Sequence, residues 1–147
     1  MRQTALFLSI RPTFASRILN GTKTIELRRV RPNVMPGGTV LIYSSSPEMA
    51  LLGSAQIKTI LSGTPKELWD RVKDKAGVSR QEYDDYFSMA EIAIGIWLRT
   101  VQRLVRPIPL QELRARWPWL RPPQSYRYVN ARLDPSGEKL ASLTPPS

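Results

Sequence analysis

Apolar and polar residues alternate along several short segments of this chain, and a proline or a glycine interrupts most of these segments before they become long. A repeat of two residues places successive side chains on opposite faces, which is the geometry of a β-strand. Because strands and helices do not alternate regularly, the pattern predicts an α+β fold built on a mostly antiparallel barrel of five or six strands. The predicted strands lie within residues 5–10, 24–28, 39–44, 51–61, 92–101 and 125–129.

Short helices are predicted between these strands, on the outside of the barrel. Pro12 can occupy the first turn of a helix over residues 12–20. Capping boxes at residues 64–67 and 79–82 begin two further helices within residues 65–87. These two helices carry more acidic than basic residues, so we expect them to lie away from any site for an anion.

A length of 147 residues fits one domain. We assign residues 1–133 to this domain and expect residues 134–147, which are polar and contain several serines and prolines, to form a flexible tail. No run of about 18 apolar residues is present, and the apolar run at residues 5–10 is too short for a secretory signal. We therefore expect no membrane span and a cytoplasmic location.

Histidine and cysteine are both absent from the chain. Their absence excludes zinc sites built on these side chains and the Ser-His-Asp arrangement of many hydrolases. We expect no metal and no cofactor, so any chemistry must use lysine, carboxylate or hydroxyl side chains.

The formal charge of +10 is distributed unevenly. Residues 11–31 hold six basic residues and one acidic residue, and residues 99–132 hold eight arginines and one acidic residue. The planar guanidinium group matches the geometry of phosphate. This clustering favours an anionic partner over a positive charge that only keeps the protein in solution.

The first candidate site, residues 21–29, follows a predicted helix end and begins a strand. Period-two geometry puts Glu26 and Arg28 on one strand face about 7 Å apart, with Lys23 at the start of the strand. A carboxylate flanked by cations stays charged, and a lysine beside another cation has a lowered pKa, which suits it as a base or nucleophile. The alternative, which the spacing alone favours, is a solvated strand face with paired charges.

A second candidate is the segment 122–128, which places Gln124, Ser125 and Tyr126 beside an arginine. Aromatic rings next to cations are typical of sites for single-stranded nucleic acid. The alternative is that the tyrosines of this segment pack a terminal strand.

A third candidate is the hydroxyl-rich turn that begins after Tyr43 and includes Ser45, although serines in turns usually bond their own backbone. Trp117 and Trp119 either line a groove or fill the barrel. We expect one cleft centred on Lys23, Glu26 and Arg28. Its walls are predicted to contain Arg11, Arg29, Tyr43, Ser45, Gln124, Ser125 and Tyr126.

Four of these features together resemble the ASCH family, whose fold is similar to that of PUA domains. They are Leu-Ser-Ile-Arg-Pro at residues 8–12, Gly-x-Lys-x-x-Glu-x-Arg at 21–28, Pro-Gly-Gly at 36–38 and the strand at 40–43. The segment 122–126 is similar to the ending of a bacterial and phage subgroup described as transcriptional regulators. The resemblance covers residues 4–129 and implies a PUA-like barrel whose cleft receives RNA, a nucleotide or a modified nucleoside.

Three functions of different class follow from the residues and the resemblance. The first is an RNA- or nucleotide-binding domain, with a possible regulatory role. The second is a metal-independent ribonuclease or N4-acetylcytidine-type amidohydrolase in which Lys23 and Glu26 are catalytic. Lys23 matches a lysine of that amidohydrolase, but Glu26 stands in place of its threonine. The third is a regulatory domain that binds an acidic protein.

Overall fold

The fold is built on one twisted sheet, and the structure, a computed structural model, describes residues 3–146. Within these residues the sheet has seven strands in the order β2-β5-β4-β3-β1-β6-β7. Neighbouring strands are antiparallel, except that β1 and β3 are parallel. The predicted α+β class with a mostly antiparallel sheet is confirmed. The strands are β1 (Gln3–Ile10), β2 (Ile25–Arg28), β3 (Thr39–Ser44), β4 (Ala50–Gly63), β5 (Ala93–Pro109), β6 (Tyr126–Leu133) and β7 (Leu140–Thr144).

Four short helices lie between the strands of the described chain: α1 (Pro12–Leu19), α2 (Pro65–Val72), α3 (Arg80–Tyr86) and α4 (Leu110–Arg116). Their starts follow the predicted signals. Pro12 is in the first turn of α1, the Thr64 side chain caps α2, and Ser79 and Glu82 form a complete capping box on α3. No helix among the described residues is long and apolar enough to cross a membrane.

The prediction of a closed barrel of five or six strands is wrong. The sheet is open, because its edge strands β2 and β7 each pair with one neighbour and not with each other. Closure requires a hydrogen-bonded ladder between the two edges. Alternation within a segment predicts a strand but contains no information about which strands meet, so the sequence pattern could not exclude an open sheet.

Three groups of buried side chains hold the layers together. The first packs α1 against one face of the sheet and includes Leu8, Ile18 and Ile42. The second lies on the opposite face, under α4, and includes Leu113. The third joins α2 and α3 to β2 and the start of β5, and its largest member is Tyr83. The third group fixes α3 beside β2, which positions the site described below.

The expectation of a flexible tail is wrong for residues 140–144. These residues form β7, which pairs with β6, and Leu140 and Leu143 are buried in the second group. A turn centred on Asp134, whose carboxylate accepts from the backbone N–H groups of Glu138 and Lys139, reverses the chain before β7. Two leucines in a polar segment are too weak a pattern to predict a strand.

Replacing Leu143 with alanine should lower the free energy of unfolding by about 2–5 kcal/mol, because removal of a fully buried leucine leaves a cavity. Thr144→Ala is the matched control, since Thr144 is the exposed next residue of β7 and should change this free energy by less than about 0.5 kcal/mol. Denaturant unfolding measures both values. Equally small changes would show that residues 140–144 behave as a loose tail.

Candidate functional site

A cleft of about 290 Å³ opens where α1, β2 and α3 approach the residues just before β6. Buried side chains from β2 and from the turn before it form its floor, and exposed side chains form its rim. The lining residues are Ser9, Ile10, Arg11, Phe14, Lys23, Glu26, Leu27, Arg28, Arg29, Ser45, Val78, Glu82, Tyr83, Tyr86, Gln124 and Ser125.

Lys23 is held at the floor by the turn after α1 and by the turn between α2 and α3. Its backbone N–H donates to the carbonyl of Arg17 at 3.0 Å, and Gly21 provides the positive φ of +88° that ends α1. Its side chain is 1% exposed, and Nζ donates to the carbonyl of Ala76 at 2.7 Å. Gly77 lies so close that a Cβ there would overlap the Cα and Cβ of Lys23. Residue 77 therefore has to be glycine for the lysine to reach this position.

Glu26 lies between two cations, as the spacing predicts. Its Oε2 accepts from Nη2 of Arg28 at 2.7 Å and from Nε at 3.1 Å, and its Oε1 lies 3.6 Å from Nζ of Lys23. All three side chains are buried. We call Lys23, Glu26 and Arg28 the ion cluster. Because its charges are paired below the surface, the interpretation of a solvated strand face is wrong.

Arg28 connects strands that are not neighbours in the sheet. Three strands separate β2 from β1, yet Nη2 donates to the Ser9 carbonyl at 2.9 Å and Nη1 donates to Oγ of Ser125 at 3.1 Å. The sheet therefore curls until β2 comes close to β1 and to the residue before β6. A guanidinium group spans the remaining gap in place of backbone hydrogen bonds. We call this gap the seam, and the cleft opens along it.

Burial is the largest cause of the lowered pKa of Lys23, since desolvation disfavours the ammonium form. Glu26 opposes this shift, while Arg17 and Arg28 lower the pKa further by repulsion. The sequence predicts the direction correctly but gives the neighbouring cation as the cause. With two cations and one carboxylate, the ion cluster carries a net positive charge while Lys23 is protonated.

The other predicted site residues divide between the cleft and the core. Tyr43 is 3% exposed and packs in the second core group, with its ring 5.4 Å from that of Phe7, so its placement in the cleft wall is wrong. Successive residues of β3 face opposite sides, and Tyr43 lies on the side toward α4. Tyr126 packs its ring 5.8 Å from Tyr128 and does not line the cleft. The cleft does contain Arg11, Arg29, Ser45, Gln124 and Ser125.

The expectation that α3 lies away from the site is wrong. Glu82, Tyr83 and Tyr86 line the cleft, and Arg29 stacks its guanidinium 4.5 Å from the centre of the Tyr86 ring. Glu82 both completes the α3 capping box and accepts from Arg17 at 3.2 Å, so its acidic charge is largely neutralised. Counting charges along a segment could not reveal this pairing between distant residues. The one available signal was the run of aromatic residues on one face of α3.

The rim presents donors for an anion. Arg11 immediately precedes α1, and Arg29 immediately follows β2. Both side chains are exposed, and neither forms an ion pair among the described residues. Within residues 3–146 no group of three or more carboxylates is placed to hold a metal ion.

A family model described as the ASCH domain matches residues 8–105. The chain belongs to the ASCH domain family. The match includes the end of β1, all of β2, β3 and β4 and most of β5, and therefore the ion cluster. The likeness to PUA domains that the sequence motifs imply is supported. The family match does not identify the transcriptional-regulator subgroup, which stays a prediction.

Proteins from Zymomonas mobilis are similar to this chain over most of its length. A protein named ASCH domain-containing ribonuclease is 35% identical over 137 residues, which cover 93% of this chain and 90% of the relative. The crystal structure of ASCH from Zymomonas mobilis superposes with a TM-score of 0.79 at 35% identity, covering 84% of this chain and 86% of that one. A serine-to-alanine mutant of the Zymomonas protein superposes with a TM-score of 0.78 at 34% identity, covering 84% and 87%.

Glu26→Gln should lower the free energy of unfolding by about 3–5 kcal/mol, because it leaves two buried cations without a carboxylate. Glu48→Gln is the matched control, since Glu48 is exposed and does not line the cleft. Denaturant unfolding at neutral pH compares the three proteins. A loss below about 1 kcal/mol for Glu26→Gln would mean that solvent screens the ion cluster as it screens a surface pair.

The free energy of unfolding of the wild type, relative to that of Lys23→Met, should rise with pH in the interval just below the usual lysine pKa of 10.5. Burial lowers the pKa of folded Lys23 below its usual value of 10.5. In the interval between the folded and unfolded pKa values the unfolded chain binds more protons, so the free energy of unfolding increases with pH. Below the folded pKa both states carry the proton, and the difference between the two proteins becomes constant. Parallel pH profiles from denaturant unfolding would contradict this assignment.

Proposed function

We propose that this chain binds RNA in the cleft and cleaves it as a ribonuclease. The observation that carries the proposal is the 35% identity, over 93% of the chain, to a protein named as a ribonuclease. The geometry agrees with it, because the cleft combines a net positive floor with two exposed arginines on its rim. Such a field attracts a phosphate backbone. A cytoplasmic location and a regulatory role remain predictions.

The exposed arginines contact the phosphates in this proposal. All the donor nitrogens of Arg28 already have acceptors on Glu26, Ser9 or Ser125, so Arg28 has little left to offer a ligand. Within residues 3–146 Arg11 and Arg29 have no such acceptors, so they can hold phosphate oxygens by paired hydrogen bonds. The hydroxyl of Ser125, also on the rim, supplies a polar contact to ribose or base.

Lys23 and Glu26 supply the proton transfers. Attack by a ribose 2′-oxygen forms a bond to phosphorus and breaks the bond from phosphorus to the 5′-oxygen. One proton must leave the 2′-hydroxyl, and one must reach the departing oxygen. Glu26 accepts the first through Oε1, which Arg28 does not use, and Lys23 donates the second from a side chain whose pKa burial has lowered. The 3.6 Å separation lets the proton on Glu26 return to Lys23 for the next cycle.

Amide hydrolysis on a modified nucleoside is the second candidate function. A buried lysine with a lowered pKa beside a carboxylate favours it, and a cavity of about 290 Å³ matches the small end of ligand pockets. The reaction would break the bond between the acyl carbon and N4 of cytidine. Water would supply the hydroxyl group that the released acid gains and the one proton that N4 gains to become the amine.

Lys23→Met and Glu26→Gln should each reduce cleavage of a labelled 12-nucleotide single-stranded RNA by about 100-fold or more, since each removes a proton-transfer group. Arg29→Ala should instead weaken binding and reduce the slope of log Kd against log salt by about 0.7, which is one phosphate contact. Arg99→Ala is the matched control because Arg99 is exposed and does not line the cleft. Fluorescence anisotropy at several salt concentrations and gel analysis of products give both quantities.

The outcomes separate the candidate functions. If Lys23→Met and Glu26→Gln both cleave RNA at the wild-type rate, the catalytic groups lie elsewhere. Salt-sensitive binding without product would leave an RNA-binding domain. Release of acetate from N4-acetylcytidine without cleavage of RNA would favour the amidohydrolase. If the protein neither binds nor converts RNA or the nucleoside, the remaining function is a domain whose basic face binds an acidic protein.

A further inference from the structure

Outside the cleft, two arginines lie over the two tryptophans of the segment that joins α4 to β6. The guanidinium of Arg116 lies 4.3 Å from the centre of the Trp117 ring, and that of Arg127 lies 5.1 Å from the centre of the Trp119 ring. Both indoles also pack against the second core group, which fixes their orientation. Each indole therefore has a guanidinium group over its ring.

The positive charge of this surface is not neutralised by acidic neighbours. Among the described residues, ion pairing within the segment 99–132 joins only Arg106 to Glu112. Arg116 and Arg121 are exposed, and Arg121 donates to backbone carbonyls and not to a carboxylate. We call the stacked pairs together with Arg121 the arginine platform.

The platform is continuous with the rim of the cleft. Ser125 lines the cleft and immediately precedes β6, and Arg127 is the second residue of that strand. Arg127 also donates to the carbonyl of Arg121 at 3.2 Å, which joins the two ends of the loop. The Ser9 side chain fixes this loop through the Pro123 carbonyl at 2.6 Å. The loop therefore leads from the rim of the cleft at Ser125 directly into β6, where Arg127 lies.

We infer that the arginine platform binds the continuation of a single-stranded RNA whose first nucleotides occupy the cleft. The inference rests on the proposed function, since it extends the same RNA beyond the cleft. A guanidinium group over an indole can offer its plane for stacking of a base and its N–H edge for phosphate. Stacking requires bases that are unpaired and free to splay out, so the platform selects single strands over duplex.

The test compares RNA lengths and uses variants with equal charge. Wild-type protein should bind a 12-nucleotide single strand at least about tenfold more tightly than a dinucleotide. The triple variant Arg116→Ala, Arg121→Ala, Arg127→Ala should lose most of this gain, and its salt slope for the long strand should fall by about 2, the share of three phosphate contacts. The control triple Arg99→Ala, Arg103→Ala, Arg132→Ala removes the same charge from exposed arginines of the same segment and should retain the gain. Dinucleotide binding should be equal in all three proteins.

If both triple variants lose the tighter binding of the 12-nucleotide strand to the same extent, the inference is wrong. The total positive charge, and not the platform, would then explain the preference for the longer strand. An unchanged gain in the platform triple, or an equal gain with duplex RNA, would overturn it as well. Failure of the proposed function looks different, since the dinucleotide itself would then not bind to wild type.

Trp119→Phe keeps an aromatic ring in the core, so it should fold, and it should reduce the quenching of tryptophan fluorescence by the 12-nucleotide strand. Quenching equal to that of wild type would also contradict the platform.

Discussion

The architecture of this protein depends on the two ion pairs that the carboxylate of Glu26 forms. This carboxylate is the negative group that the buried side chains of Lys23 and Arg28 share. With Arg28 fixed by Glu26, Nη2 also donates to the Ser9 carbonyl and Nη1 donates to the Ser125 hydroxyl across the sheet. A buried cation without a partner costs several kcal/mol. Loss of this one carboxylate would therefore affect the turn before β2, β2 itself and the contact of β2 with β1 and with the residue before β6.

Closure of the sheet by side chains, and not by a backbone ladder, explains why the site lies at the seam. A ladder would bring two strands within about 5 Å along their whole length and leave no opening. A guanidinium group reaches farther and contacts the facing chain at separate points, so space remains beside it. The ASCH sheet is thus close to a barrel in curvature and open in hydrogen bonding. The cleft is the consequence of that difference, and its floor is made of the charged groups that span it.

The sequence predicted what depends on local geometry. Period two placed Glu26 and Arg28 on one face, and the capping boxes placed the starts of α2 and α3. What it missed depends on contacts between distant segments. Glu82 was counted as a repelling charge because its partner Arg17 lies 65 residues away. The end of its strand beside the hydroxyl-rich turn predicts Tyr43 in the cleft wall, but alternation along β3 turns its ring toward α4. The strand β7 has two buried leucines, too few for a period to be recognised.

The two sets of cations in this protein differ in their surroundings, and this gives them different roles toward an anion. Exposed arginines act through water, where salt at physiological strength screens charges beyond about 8 Å. They raise the rate of encounter with a polyanion but hold it weakly one at a time. The ion cluster acts from a buried position, where screening is weaker and each charge acts more strongly.

The single carboxylate of the ion cluster leaves one positive charge unbalanced while Lys23 is protonated. A phosphate in the cleft would balance that charge and, by favouring the ammonium form, raise the pKa of Lys23 toward its usual value. Anion binding and protonation of Lys23 are therefore coupled, so the ligand itself loads the proton that the proposed reaction requires.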